Sequence, residues 1–119
     1  MEITLPYMPE RSSKPREKGV TMMMDKGLST RQAEDFIDAS GHLTDIIKLG
    51  FGTSYVSKNV KEKVKLYHDN GLKVYLGGTL FEAFVARGKF DDYRRLVDSY
   101  GIQLTEVSDG SIVIPHDEK

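Results

Sequence analysis

The sequence predicts an α/β fold in which four strand–helix units share one parallel sheet. Two observations carry that expectation. Short apolar runs alternate with amphipathic stretches of helical period, four times in order. Each apolar run ends in glycine or small polar residues, the punctuation expected where a strand turns into a helix. Strands joined by helical stretches pair in parallel through right-handed crossovers.

Residues 1–18 precede the first unit. They are polar, basic and proline-containing, ending in Arg11-Ser12-Ser13-Lys14-Pro15-Arg16-Glu17-Lys18, and read as an arm. The first run is Val20-Thr21-Met22-Met23-Met24, closed by Asp25-Lys26-Gly27. Ser29 and Gln32 then have the spacing of a capping box, which satisfies two free amides at a helix start. Ala33, Phe36 and Ile37 form one apolar stripe on that helix, and Gly41 suits its end. The second run, Ile46-Ile47-Lys48-Leu49, is closed by Gly50-Phe51-Gly52-Thr53-Ser54. Its helix is expected from Asn59, with Glu62 at the capping-box position and Val60, Val64 and Tyr67 as the stripe, and Asn70-Gly71 stops it.

The third run, Val74-Tyr75-Leu76, ends at Gly77-Gly78, and Thr79 with Glu82 again has capping-box spacing. Leu80, Phe81, Phe84 and Val85 are its expected buried residues. A second helix follows Gly88, with Phe90, Tyr93, Leu96, Val97 and Tyr100 on its apolar face. The fourth run, Leu104-Thr105-Glu106-Val107, is closed by Ser108-Asp109-Gly110-Ser111, and residues 112–119 read as a short polar tail.

Strand alternation assigns faces. Asp25 is expected inward with Met23 and Thr21, leaving Val20, Met22 and Met24 for the helices. Lys48 goes inward with Ile46, Gly77 with Tyr75, and Glu106 with Ser108, while Ile47, Leu49, Val74 and Leu76 face the helices. One face is thus aliphatic and the other carries a charge, a ring or a hydroxyl near each strand's C-terminal end. That pattern favours a barrel over an open doubly wound sheet, since barrel chemistry gathers on the loops after the strands. A complete barrel takes ~250 residues and eight strands. The expectation for residues 19–111 is therefore the N-terminal half of a TIM (β/α)8 barrel, either a fragment or a half barrel that meets a second copy.

The composition narrows the function classes. A formal net charge of −1 offers no basic face for non-specific nucleic-acid binding. No apolar run approaches the ~20 residues of a membrane-spanning helix. The N-terminus lacks the basic and apolar stretches of a signal peptide. There is no cysteine, so disulfides and thiolate chemistry are excluded from these 119 residues. A soluble cytoplasmic protein is the expectation. His42, His68 and His116 lie far apart and are expected at the surface.

Four segments together resemble the phosphosulfolactate synthase family. They are Lys14-Pro15-Arg16 leading to Gly19-Val20-Thr21 and Asp25-Lys26-Gly27-Leu28; Asp45-Ile46-Ile47-Lys48-Leu49-Gly50-Phe51-Gly52-Thr53-Ser54; Gly77-Gly78-Thr79-Leu80-Phe81-Glu82; and Glu106-Val107-Ser108-Asp109-Gly110-Ser111. Any one alone is weak, but all four occur in register, each at the C-terminal end of an expected strand. Leu49 and Phe51 are conservative departures. Counterparts of that family's strands five to eight, with their lysine, glutamate and arginine motifs, are not found in these residues.

The resemblance implies a magnesium-using TIM barrel that adds sulfite to phosphoenolpyruvate, giving (2R)-phospho-3-sulfolactate on the route to coenzyme M. It also implies a homo-oligomer. Sulfite is already a strong nucleophile; the difficulty is that an anion attacks a trianion, so cations and fixed dipoles must meet the developing charge. Asp25, Glu106 and Asp109 are the hard oxygen donors magnesium prefers, against plain turn roles for Asp25 and Asp109. Lys48, between two apolar neighbours, must pair with a carboxylate or meet an anionic ligand, and with Glu106 it is the catalytic candidate.

Gly77, Gly78 and Thr79 open a helix whose first amides attract anions, though a glycine pair also makes an ordinary turn. Gly52, Thr53, Ser54, Ser111 and the loop residue Lys26 complete the expected substrate-binding set. Lys14 and Arg16 precede the first strand, so they are expected at the far end as structural residues. The alternative to an enzyme is a non-catalytic relative resembling the plant heat-stress-associated proteins, acting by binding or assembly.

Overall fold

A computed structural model describes residues 3–118. Four parallel strands, β1 (Met22–Asp25), β2 (Ile46–Leu49), β3 (Lys73–Leu76) and β4 (Leu104–Thr105), form one sheet in the order of the sequence. Between them run α1 (Thr30–Ser40), the single turn α2 (Thr53–Val56), α3 (Val60–Asp69), α4 (Gly78–Ala86) and α5 (Phe90–Ser99). Sequential neighbours with no strand reversal are the winding of a barrel wall, and an open doubly wound sheet would place a later strand on the other side of β1.

The register fixes which side chains share a face. Ile47 and Val74 align, as do Leu49 and Leu76. All four are buried under the helices with Ala33, Val60, Val64, Tyr67, Leu80, Phe81 and Tyr93. The other face carries Met24, Lys48, Tyr75 and Leu104 in one row and Met22, Ile46 and Lys73 in the next. This inner face is open: Met22 is 45% exposed.

Strand β1 runs in the opposite phase to the expectation. Asp25 pairs with Leu49, so Asp25 and Met23 face the helices, and Met22 and Met24 lie on the inner face. Flexible methionines satisfy either side, so composition does not reveal the phase.

Helix α1 starts at Ser29 with both halves of the capping box formed. The other two spacings do something else. Asn59 donates to the Leu28 carbonyl and to Thr30, bridging α3 to the loop after β1. Glu82 reaches the segment after β4, and Gly77 rather than Thr79 stands at the α4 cap. After β4 the chain makes a bend, and Ile114 returns to the core, so residues 112–119 are less uniformly polar in role than expected.

The arm is tied down at the sheet's N-terminal end. Arg16 holds Asp45 at 2.8 Å and the His42 carbonyl at 3.0 Å, and Asp45 in turn accepts the Thr21 amide. Lys14 donates to Gly41, and Arg11 to Thr21 and Leu43. Arg16 and Lys14 are structural, as their place in the chain suggests. His42, His68 and His116 are exposed.

Candidate active site

The C-terminal ends of the strands form a rim, and two of the predicted residues meet there. Lys48 extends from the inner face of β2 to Glu106, just beyond β4, with Nζ at 3.2 Å from Oε1 and 3.1 Å from Oε2. The Gly78 amide at the mouth of α4 donates to the same Oε1 at 3.0 Å. A carboxylate thus sits on an ammonium and on a helix start, where both the N–H and the dipole favour negative charge. Both side chains stay partly open to solvent, 19% for Lys48 and 31% for Glu106. Tyr75 lies alongside: burial raises its phenol above the ordinary range, and the charge of Glu106 raises it further.

Gly78 is required by this approach. A Cβ built there would lie 2.5 Å from Glu106 Oε1 and 2.8 Å from the Ser108 Cβ. At Gly77 it would meet Lys48 Cε at 3.1 Å and the Leu49 carbonyl at 3.2 Å. The paired glycines let β2, α4 and the β4 loop converge. The anion position expected of Gly77-Gly78-Thr79 is therefore filled by a side chain of the protein itself, and Thr79 stands exposed in the first turn.

The Ser108–Ser111 loop is organised by Glu82. Its carboxylate is buried and accepts Ser108 Oγ at 2.6 Å, the Ser111 amide at 2.6 Å, Ser111 Oγ at 2.9 Å and the Ile112 amide at 3.2 Å. The Ser108 hydroxyl, then the loop amides, hold its pKa down at about 2. Ser111, expected to bind substrate, donates its hydroxyl to Glu82 instead. Asp109 lies exposed in this loop.

Asp25 is not part of the rim chemistry. It is wholly buried on the helix side, with Oδ1 accepting the Gly27 and Leu28 amides at 2.8 Å each. Oδ2 accepts Lys63 Nζ at 2.9 Å and Tyr67 Oη at 2.8 Å. Burial alone would raise its pKa, but the Leu28 amide, Lys63, the Gly27 amide and Tyr67 together bring it below the usual value. The predicted convergence of Asp25 with Lys48 and Glu106 fails because β1 presents its odd residues outward.

The magnesium expectation contracts accordingly. Among the described residues, no three carboxylate, histidine or cysteine side chains cluster as a metal site. Asp25, with both oxygens engaged and no solvent exposure, does not fit. Glu106 and Asp109 remain, the one or two carboxylates magnesium commonly takes beside substrate and water.

The loop after β2 contains two successive left-handed residues, Phe51 at φ 56° and Gly52 at φ 74°. Gly52 tolerates this; an aromatic residue does so at a cost. Thr53 Oγ1 donates to the Gly50 carbonyl at 2.8 Å, the turn-capping role. Ser54 is buried, and its hydroxyl has no partner among the described residues. Lys26 places its ammonium 5.4 Å from the centroid of the exposed Phe51 ring.

Four residues that hold the loops around the rim in place are not marked as such by the sequence. Lys63 and Tyr67 had a visible signal: Val60, Lys63, Val64 and Tyr67 share one helical stripe, and a lysine inside such a stripe needs a buried partner. Glu82 was legible as a cap rather than a loop anchor, and Phe51 carried no signal beyond its glycine neighbours.

Residues 9–119 match the family model described as (2R)-phospho-3-sulfolactate synthase (ComA). The phosphosulfolactate synthase of Methanocaldococcus jannaschii is 42% identical over 105 residues, covering 87% of this chain and 42% of that protein. That of Methanothermobacter thermautotrophicus is 39% identical over 113 residues, or 93% of this chain and 44% of the other. In Bacillus subtilis the phosphosulfolactate synthase is 31% identical over 112 residues, 94% of this chain and 44% of its own length. The chain thus spans less than half the length of these relatives. On the match across nearly all its residues, it belongs to the (2R)-phospho-3-sulfolactate synthase family.

Proposed function

We propose that this polypeptide supplies part of the active face of an enzyme that adds sulfite to phosphoenolpyruvate, forming (2R)-phospho-3-sulfolactate. The observation that carries the proposal is the meeting of Lys48, Glu106 and the Gly78 amide at the C-terminal rim of an open inner face. The names of the relatives support the product.

The chemistry sets what these groups must do. The sulfite sulfur lone pair attacks the methylene carbon, a C–S bond forms, and the π pair moves to the phosphate-bearing carbon. Negative charge grows on the adjoining carboxylate until that carbon takes a proton. A fixed ammonium beside a helix mouth lowers the cost of this charge. In this reading Lys48 binds the anionic substrate and donates the proton, and its contact with Glu106, which orients it, supports that role. Incoming substrate oxygens compete with Glu106 for Lys48 and the Gly78 amide, freeing the carboxylate. Glu106 and Asp109 would hold magnesium, which supplies positive charge next to the substrate's carboxylate. Residues 26 and 52–54 border the same rim.

A cytoplasmic, homo-oligomeric enzyme belongs to the same proposal. Among the described residues no helix is long and apolar enough to cross a membrane. The reading as a non-catalytic relative gains nothing from the site, which retains its lysine, carboxylate and glycine pair.

The test is formation of phosphosulfolactate, followed by phosphorus NMR, from phosphoenolpyruvate and sulfite with and without magnesium. Calorimetric binding of each substrate is measured in parallel. Product formation, or binding that requires Lys48, supports the proposal. A polypeptide that binds neither substrate refutes it.

A further inference from the structure

The buried group formed by Asp25, Lys63 and Tyr67 is unusual for the interior of so small a sheet. A buried ion pair is weak as a source of stability, since an apolar pair of similar volume serves the core as well or better. What the ion pair supplies here is a carboxylate whose second oxygen takes two successive loop amides, Gly27 and Leu28. Lys63 is only 2% exposed and Tyr67 wholly buried, one helical turn apart on α3. They hold Asp25 ionised and in one orientation, so α3 sets the course of residues 26–28.

The opposite side of that loop is set as well. Lys26 lies over the Phe51 ring, an exposed aromatic held in the left-handed region, a strain that folded proteins keep mainly at functional sites. The Gly27 backbone lies against Thr53, whose methyl is 3.7 Å from where a Cβ would be. The rim loops after β1 and β2 are thereby locked to each other.

We propose that Lys63 and Tyr67 are positioning residues: through Asp25 they fix residues 26–28 so that Lys26 stands preset at the rim for an anionic ligand. This rests on the functional reading above and names the phosphate or carboxylate of phosphoenolpyruvate as the group Lys26 meets. Neither residue touches substrate.

The test combines calorimetric binding of phosphoenolpyruvate with hydrogen exchange of the Gly27 and Leu28 amides in the unliganded chain. Lys63→Met leaves Asp25 unpaired and should speed exchange at both amides and weaken binding about tenfold. Tyr67→Phe, which preserves the ring and folds more safely, should do both to a smaller extent. In Asp25→Asn/Lys63→Met the asparagine carbonyl still accepts both amides, so binding should return to within about threefold of the wild type without the ion pair. Because Lys63 acts through Lys26, adding Lys63→Met to Lys26→Met should weaken binding no further, a coupling that a purely structural role would not produce. Unchanged amide exchange and affinity in Tyr67→Phe and Lys63→Met overturn the inference alone. A wild-type chain that binds no phosphoenolpyruvate overturns the functional proposal and this inference with it.

Discussion

Replacing Gly78 with alanine probes the rim directly, because the mouth of α4 meets the segment after β4 at that one Cα. The added methyl would stand 2.5 Å from Glu106 Oε1 and 2.8 Å from Ser108 Cβ. The Glu106 contact can be relieved, since its carboxylate is the tip of a flexible side chain. The Ser108 contact cannot, because its Cβ is rooted in a loop held by Glu82. Overpacking of this kind costs ~1–3 kcal/mol. Pushing Glu106 off the Gly78 amide adds a lost hydrogen bond to a charged group, ~1.5–3 kcal/mol when complete. Allowing for partial relaxation, the expected loss is about 3 kcal/mol. For a chain of this size that lowers the Tm by roughly 10–15 °C. Gly110→Ala is the control, because a Cβ there meets nothing within 4 Å; it should stay within about 0.5 kcal/mol of the wild type. Thermal and urea unfolding followed by circular dichroism reads both. A Gly78→Ala Tm within about 2 °C of the wild type would refute the packing of Gly78 against the β4 loop.

Lys48→Met should reduce product formation by about 10²–10³-fold. Its stability effect should stay below ~1 kcal/mol, because the ion pair with Glu106 is partly solvated; activity and unfolding assays on the same preparation separate the two. Acid titration should show stability constant above the ordinary carboxyl range. Glu82 and Asp25 both have folded-state pKa values below their unfolded ones, so their contribution is present above about pH 4.5 and is lost as the pH falls toward 2. Glu82→Gln should flatten that fall, and an acid limb of unchanged depth would argue against the Glu82 anchor. Arg16→Ala should free the arm: trypsin cleavage after Arg11 and Lys18 should accelerate several-fold, with a Tm shift far smaller than that of Gly78→Ala.

Much of the fold could be read from the chain because local signals agreed. The glycine-polar punctuation marks the ends of β1, β2 and β3, whereas β4 already stops at Thr105, ahead of Glu106 and Val107, and Ser29 with Gln32 caps α1. That Lys48 needs a partner is legible as well, since a lysine between Ile47 and Leu49 demands a carboxylate or an anion, but that the partner is Glu106 rather than Asp25 is not. The phase of β1 was not. Alternation alone leaves the direction of its only polar residue, Asp25, undecided, and the partners that let it face the helices lie 38 and 42 residues away on α3. The same limit applies to Glu82, whose capping-box spacing was real in sequence but whose acceptors were claimed by the loop after β4. Local spacing identifies what a side chain could satisfy nearby; it does not show which distant donors compete for it.

The anchoring of the arm has a mechanical consequence. Arg11, Lys14 and Arg16 spend their hydrogen bonds on carbonyls, the Thr21 hydroxyl and a carboxylate at the end of the sheet where no candidate chemistry lies. They act as a strap that stiffens this base. The opposite end keeps the solvent-facing groups instead: Lys26, Phe51 and Asp109 stand exposed there, on the side from which an anion would have to arrive.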